Sequence, residues 1–216
     1  MSAFGAEGRH PGWPARLGPL RVAGGQVALR PVRLRDASMW SRMRLADEAY
    51  LRNWEPEAPG SWADRYTPMA WPVQCAGLRA VGRRGQCLPF AITLDGRFAG
   101  QLTVGNVVRG ALRSAWIGYW VESGSAGCGI ATAAVALAVD HSFGHVGLHR
   151  IEATVRPENG ASLRVLGKLG FRDEGLLVRY LEVAGAWRDH RLLALTREEI
   201  GPGLVERLIR EGRARP

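Results

Sequence analysis

Apolar and polar residues alternate at the first readable stretch of the chain. In "QVALRPVRLRD", Val27, Leu29 and Val32 take the apolar positions, which predicts a first strand. Asp36 then stands as an N-cap before "ASMWSRMRLADEAYLRNW", where Trp40, Met43, Ala46 and Tyr50 recur at helical spacing. Pro56 and Pro59 end that helix. A second helix is expected over residues 61–84, interrupted because Pro68 and Pro72 forbid a regular one. "CLPFAITLDGRFAGQLTVGNV" is a hairpin turning at Asp95-Gly96, and "LRSAWIGYWVE" follows as another strand. Residues 129–144 read as a helix, and "HRIEATVRP" as a strand with Ile151, Ala153 and Val155 on one face. Asn159 can cap a helix containing Leu163, Leu166 and Leu169, closed by Gly170. "LLVRYLEV", Ala184-Gly185 and "AWRDHRLLAL" complete a second hairpin.

The resulting order, β-α-α-β-β-β-α-β-α-β-β, predicts an α/β fold: a mixed sheet with helices on both faces. Residues 1–25, rich in Gly and Pro and without sustained periodicity, read as a flexible leader. Residues 26–196 read as one domain. Residues 197–216 read as a tail with a short helix near 203–211 that then frays. A chain of 216 residues fits one domain better than two.

Composition adds a sign of charge. The net charge is +9, and Lys168 is the single lysine among 29 basic residues. A basic surface favours anionic partners such as nucleic acid, the ribosome or a phosphorylated cofactor. No run of five like charges occurs, which argues against a dedicated nucleic-acid module. No 18-residue apolar run and no apolar signal segment are present, so the expectation is a cytoplasmic protein without a membrane span. Cys75, Cys87 and Cys128 are odd in number and lack CxxC spacing. His141 and His145 are four apart, but no glutamate lies between them and Gly144 and Gly147 mark a helix end, so no metal is expected.

The stretch "ESGSAGCGIATAAVALAVDHSF", from Glu122 to Phe143, concentrates the candidate chemistry. A strand that stops, turns through Gly127 and Gly129 and starts a helix leaves that helix's first N–H groups unpaired. Together with the macrodipole they form an anion site, with donors from about Ala126 to Thr132. The same residues would equally serve as a tight turn capping a buried helix. No G-x-x-x-x-G-K-S/T is present, and Gly127-x-Gly129-x-Ala131 is not the dinucleotide G-x-G-x-x-G.

"LRPVRLRD", "LRNWEP", "SAWIGYWV", "SAGCGIATAA", "HRIEATVRPENGAS", "LGKLGFRDEG" and "AWRDHRLLAL", in that order, resemble the GNAT family of N-acetyltransferases, in particular its ribosomal-protein-alanine (RimJ/RimL-like) branch. The resemblance implies a mostly antiparallel central sheet splayed between its fourth and fifth strands. Acetyl-CoA enters that gap, with its diphosphate on the glycine loop. The family loop reads Q/R-x-x-G-x-G/A; here Ala126 replaces the Gln or Arg, while Gly127, Cys128, Gly129, Ile130, Ala131 and Thr132 keep the backbone donors. Cys128 reads as a loop filler, because the family passes the acyl group directly to the amine.

The resemblance further implies a bulge near Trp120 and Val121, whose N–H would bind the thioester oxygen. Asn159 and Ser162 match the family's N-x-x-S. Asn159 would bridge the open strands or touch pantetheine, and Ser162 would sit by the sulfur and protonate the thiolate; otherwise they are a plain N-cap and a first-turn residue. A base is needed less for an α-amine, of pKa ~7.7–8.0, than for a lysine amine near ~10.4. Candidate bases are Glu122 and Glu152, the latter open to capture by an arginine neighbour; Tyr180 would be a proton relay or else a half-buried sheet residue. Glu55, with Trp54, would hold the cationic amine at the mouth, and Trp54, Trp116 and Tyr119 would line the acceptor pocket, with ordinary core packing an equal reading for Trp116. The expected activity is acetyl transfer to an N-terminal α-amine, most specifically alanine of a ribosomal protein. Alternatives are an acetyltransferase for a small amine (antibiotic or polyamine) and a non-catalytic acyl-CoA- or RNA-binding module. The protein is expected to be a monomer or homodimer.

Overall fold

A computed structural model describes residues 12–216. Eight strands form one sheet: β1 (Leu17–Val22), β2 (Gly25–Pro31), β3 (Cys87–Leu94), β4 (Arg97–Val108), β5 (Ser114–Val121), β6 (Arg150–Val155), β7 (Arg172–Val183) and β8 (Ala186–Thr196). Their order is β1-β2-β3-β4-β5-β6-β8-β7. Every neighbouring pair is antiparallel except β5 and β6. The helices are α1 (Ala37–Ala46), α2 (Glu48–Leu51), α3 (Trp62–Arg65), α4 (Trp71–Arg83), α5 (Ile130–Gly144), α6 (Gly160–Lys168) and α7 (Leu204–Arg210). The expected α/β architecture is therefore present, with helices on both faces.

Proline placed the breaks as its chemistry requires. Pro68 falls in the gap between α3 and α4, whereas Pro72 lies in the first turn of α4, where a missing N–H costs nothing. One core contains Phe90, Leu102, Ile117, Ile151 and Leu195 of the sheet with α5, α6 and α7. The opposite core gathers Trp40, Trp62, Tyr66 and Trp71 against Ala91 and Phe98. Helix α5 has twelve of its fifteen residues buried, so its face is apolar all round. Its alanines, at 133, 134, 136 and 138, let the backbone lie close to the strands.

The chain ends differ from the sequence reading. Residues 1–11 of the expected leader lie outside the described residues, but Leu17–Val22 form β1 instead of a loose segment. "LGPLRV" hides this strand because Gly18 and Pro19 break the alternation, leaving Leu20 as its one buried anchor. The tail does not fray after its helix either. Leu204, Leu208 and Ala214 are buried, and Arg21 and Arg215 exchange two backbone hydrogen bonds of 2.8 Å along the free edge of β1.

The gap expected between the fourth and fifth strands of the sequence reading lies between β5 and β6. These two pair only at Ser114–Trp116 with Arg150–Glu152. Beyond Trp116, β5 follows β4, while β6 stays on β8 through Val155. The bulge expected near Trp120 and Val121 is absent: β4 and β5 keep regular register from Gly100↔Val121 to Gly105↔Trp116. The irregularities sit on β4 instead, one at Ala99 and one at Asn106 and Val107. Gly100 makes the regular pairing feasible there, since a Cβ on it would lie 2.2 Å from the Trp120 carbonyl oxygen.

Candidate active site

Two open features converge at the β5–β6 gap. The first is backbone. Glu122 N–H donates to the Ala99 carbonyl at 3.0 Å, which fixes the alternation along β5. The N–H and C=O groups of Tyr119 and Val121 therefore point away from β4, into the gap. A donor for a thioester oxygen needs no bulge on β5.

The second is the turn into α5. Gly127 and Gly129 have φ of 81° and 85°, and Gly129 is the residue that starts the helix. The first intrahelical bond is Ala133 N–H to Gly129 C=O. Among the described residues the N–H groups of Gly127 to Thr132 have no protein acceptor. A Cβ on Gly127 would meet nothing within 4 Å, so the concave side is open. Ala126 contributes no side-chain contact, and the exposed Cys128 thiol reaches only the Ala126 carbonyl, at 3.6 Å.

Elements that the sequence reading missed hold this turn. Gly24, in the β1–β2 connection, donates its N–H to the Cys128 carbonyl at 3.1 Å. A Cβ on Gly24 would come within 2.8 Å of Cys128 Cβ, so only glycine permits the approach. Asp47, between α1 and α2, accepts from Ser123 N–H at 2.8 Å and from Ser123 Oγ at 2.5 Å. Neither contact has a signature in local sequence, because each joins distant segments.

Tyr119 and Ser162 meet across the gap. Their hydroxyls are 2.9 Å apart, joining β5 to α6. Burial pushes the Tyr119 phenol up to about 12, against the lowering effect of its bond to Ser162. The half-buried Tyr119 ring packs on the α5 core, and its hydroxyl lies against Ser162. Asn159 caps α6, its Oδ1 accepting from Ser162 N–H at 3.0 Å.

The acceptor candidates scatter. Glu55 does not stand free: Arg44 and the Tyr66 hydroxyl both bind its carboxylate. The Arg44 guanidinium also lies over the Trp120 ring, 4.3 Å from its centroid, and burial raises the Tyr66 phenol. Trp54 is half-buried beneath Arg156, whose guanidinium is 5.4 Å from the ring and donates to Asn53 C=O at 2.8 Å. The segment then reaches the β7–β8 hairpin, with Glu57 N–H on Glu182 C=O at 2.8 Å. Residues 53–57 therefore cross from α2 to that hairpin at the open end of the gap. Trp116 lies at the closed end, opposite Glu152 in the pairing, with its ring across Gly105 and Gly118.

Among the candidate bases, Glu152 is held by Arg150 at 2.6 Å. Tyr180 is exposed on β7 and stands edge-on to His190, with centroids 5.7 Å apart. Glu122 directly follows β5, and its carboxylate accepts no hydrogen bond among the described residues. No group of three metal-ligating side chains occurs among the described residues.

The model of the acetyltransferase (GNAT) domain matches residues 26–172. The chain belongs to the GNAT family. It is an acyltransferase, and its fold and gap are those the sequence resemblance implied. It is 61% identical to Mycobacterium smegmatis RimJ, whose structure is a complex with CoA-disulfide; the match covers 95% of this chain and 98% of that one, with a TM-score of 0.94. It is 28% identical to the [ribosomal protein uS5]-alanine N-acetyltransferase of Escherichia coli K12, over 89% of this chain and 98% of the relative. A match at 45% identity to "Probable N-acetyltransferase YjcK" of Bacillus subtilis covers 47% of this chain and 56% of that protein, about half of each. No helix among the described residues is long and apolar enough to cross a membrane.

Proposed function

We propose that this acyltransferase moves the acetyl group of acetyl-CoA to the N-terminal α-amine of a ribosomal protein. The observation that carries the reading is the β5–β6 gap followed by six N–H groups, from Gly127 to Thr132, that have no acceptor among the described residues. A diphosphate fits such a row of donors at a helix start. An extended pantetheine arm fits beside β5, whose Tyr119 and Val121 backbone groups face the gap. The names of the two full-length relatives support CoA as the partner and a ribosomal protein as the acceptor.

In this reading the neutral amine attacks the thioester carbonyl, a C–N bond forms and the C–S bond breaks. The N–H of Val121 or Tyr119 stabilises the carbonyl oxygen as charge gathers on it. The leaving thiolate takes a proton from Ser162 Oγ, to which Tyr119 is hydrogen-bonded at 2.9 Å; the serine recovers a proton from solvent, to which Glu122 releases the one it took from the amine. The amine loses its proton to Glu122 directly or through one water. Asn159 keeps Ser162 in place through its cap, and its Nδ2, without an acceptor among the described residues, would donate to the pantetheine amides. Trp54 and Glu55 stand beside the open end, where an acceptor chain would enter.

The test is incubation of the full chain with acetyl-CoA and peptides that begin Ala, Ser or Met, read by mass spectrometry. A single acetyl group on the α-amine of the alanine peptide is expected. Acetylation of only polyamines or aminoglycosides, or no product on any amine, would overturn the proposal.

A further inference from the structure

Asp47 is a buried carboxylate, 7% exposed, and no cation lies within ion-pair distance of it among the described residues. A carboxylate buried without a cation is costly unless hydrogen bonds replace its hydration. Both of its oxygens are spent on one residue: Oδ2 on Ser123 N–H and Oδ1 on Ser123 Oγ. Ser123 is seventy-six positions away, directly after Glu122 and at the start of the turn that becomes Gly127 and Gly129.

The same helix pair grips the end of β5 a second time. Arg44, one turn before Asp47, lies over the Trp120 ring and binds Glu55. Glu122 is therefore bracketed: Trp120 before it and Ser123 after it are both fixed to α1–α2. Without Asp47, the turn from Ser123 to Ala126 would keep only its own short-range bonds, Ser125 N–H to Glu122 C=O and Ala126 N–H to Ser123 C=O. Gly24 would remain the loop's other tie, at Cys128.

We infer that Asp47 is a positioning residue, which holds the Glu122 carboxylate and the coenzyme loop in register with the acceptor-side helices by acting through Ser123. The inference rests on the proposed acetyl-CoA site. A carboxylate is suited to the task because it accepts two bonds from one serine, which sets the direction of that residue's backbone as well as its position.

The test compares wild type, Asp47→Ala, Ser123→Ala and the double variant. CoA binding is read by calorimetry well below each melting temperature, and acetyl-CoA KM and kcat with the alanine peptide. Asp47→Ala should weaken CoA binding about tenfold. Ser123→Ala, which keeps the N–H bond, should weaken it about threefold. The double variant should match Asp47→Ala within about twofold, because the two groups form one unit. The acetyl-CoA KM should rise with the dissociation constant. Asp47→Ala binding CoA within twofold of wild type would overturn the inference, as would losses that simply multiply in the double variant. If wild type itself binds no CoA, the site reading falls and the inference with it; wild-type binding with unaffected variants sinks the inference alone.

Discussion

Tyr119 and Ser162 show how a role is assigned at the scale of one contact. Ser162 stands in the first turn of α6, three residues after its cap, and that much follows from the N-x-x-S spacing alone. Tyr119 was expected on the acceptor side with Trp54 and Trp116. Its partner is decided by the parity of β5, which turns Tyr119 to the α5 side while Trp116 and Trp120 face the other. Ser162→Ala should lower kcat by about a hundredfold, the low end of general-acid catalysis, with CoA affinity nearly kept; single-turnover kinetics with the peptide would check this. Because the Tyr119 phenol is pushed up to about 12, it stays protonated through the neutral range. The pH–rate profile of wild type and of Tyr119→Phe should therefore share the same limbs, the variant being slower throughout. A limb lost in Tyr119→Phe would contradict the assignment. Glu55 teaches the converse: in "NWEP" it was expected to hold a cationic amine, and Arg44 and Tyr66, both eleven positions away, bind its carboxylate.

Among the elements, the hairpin at Asp95-Gly96, α5 and α6 were legible because turn residues, caps and apolar period agree within each segment. The strand β1 was not, since one buried leucine carries it and its stability comes from pairing with β2 and the C-terminal residues. Its turn bears on the site. Gly24→Ala places a Cβ at 2.8 Å from Cys128 Cβ, so the loop must shift. Overpacking of this kind costs ~1–3 kcal/mol. Acetyl-CoA KM should rise several-fold in Gly24→Ala, and Cys128→Gly, which deletes the opposing Cβ, should recover part of the loss in the pair. Steady-state kinetics and thermal melting of the three variants would test this, and no change in KM with Gly24→Ala would contradict it.

Over the whole molecule, two cores sandwich one sheet, and the open gap exists because, after three shared residue pairs, β5 follows β4 while β6 stays on β8. On the far side of that divergence Arg150 and Arg172 bind Glu174, and hydrogen bonding, chiefly to Arg150, pulls its carboxyl down to about 2. A carboxyl that is more acidic in the fold stabilises it above its unfolded value. That contribution is lost as pH falls through the range between the ordinary glutamate value of 4.5 and about 2. Urea midpoints should therefore drop across that interval, and Glu174→Gln should flatten the slope there; an unchanged slope would sink the assignment. These pairs are partly exposed, so high salt should also weaken the effect. The sequence by itself determined the strands from β2 onward, helices α5 and α6, the glycine turn before α5 and the family, because each rests on local period, backbone freedom or an ordered set of short motifs; the split of the first helix at Asp47 was not among them. Tertiary structure alone decided which strands part, that β1 joins the sheet with Arg215 bridged to its edge, and which groups Asp47, Arg44 and Tyr119 meet. Those outcomes depend on contacts between residues tens of positions apart, on which side of a strand a side chain falls, and on which partner reaches a buried charge first.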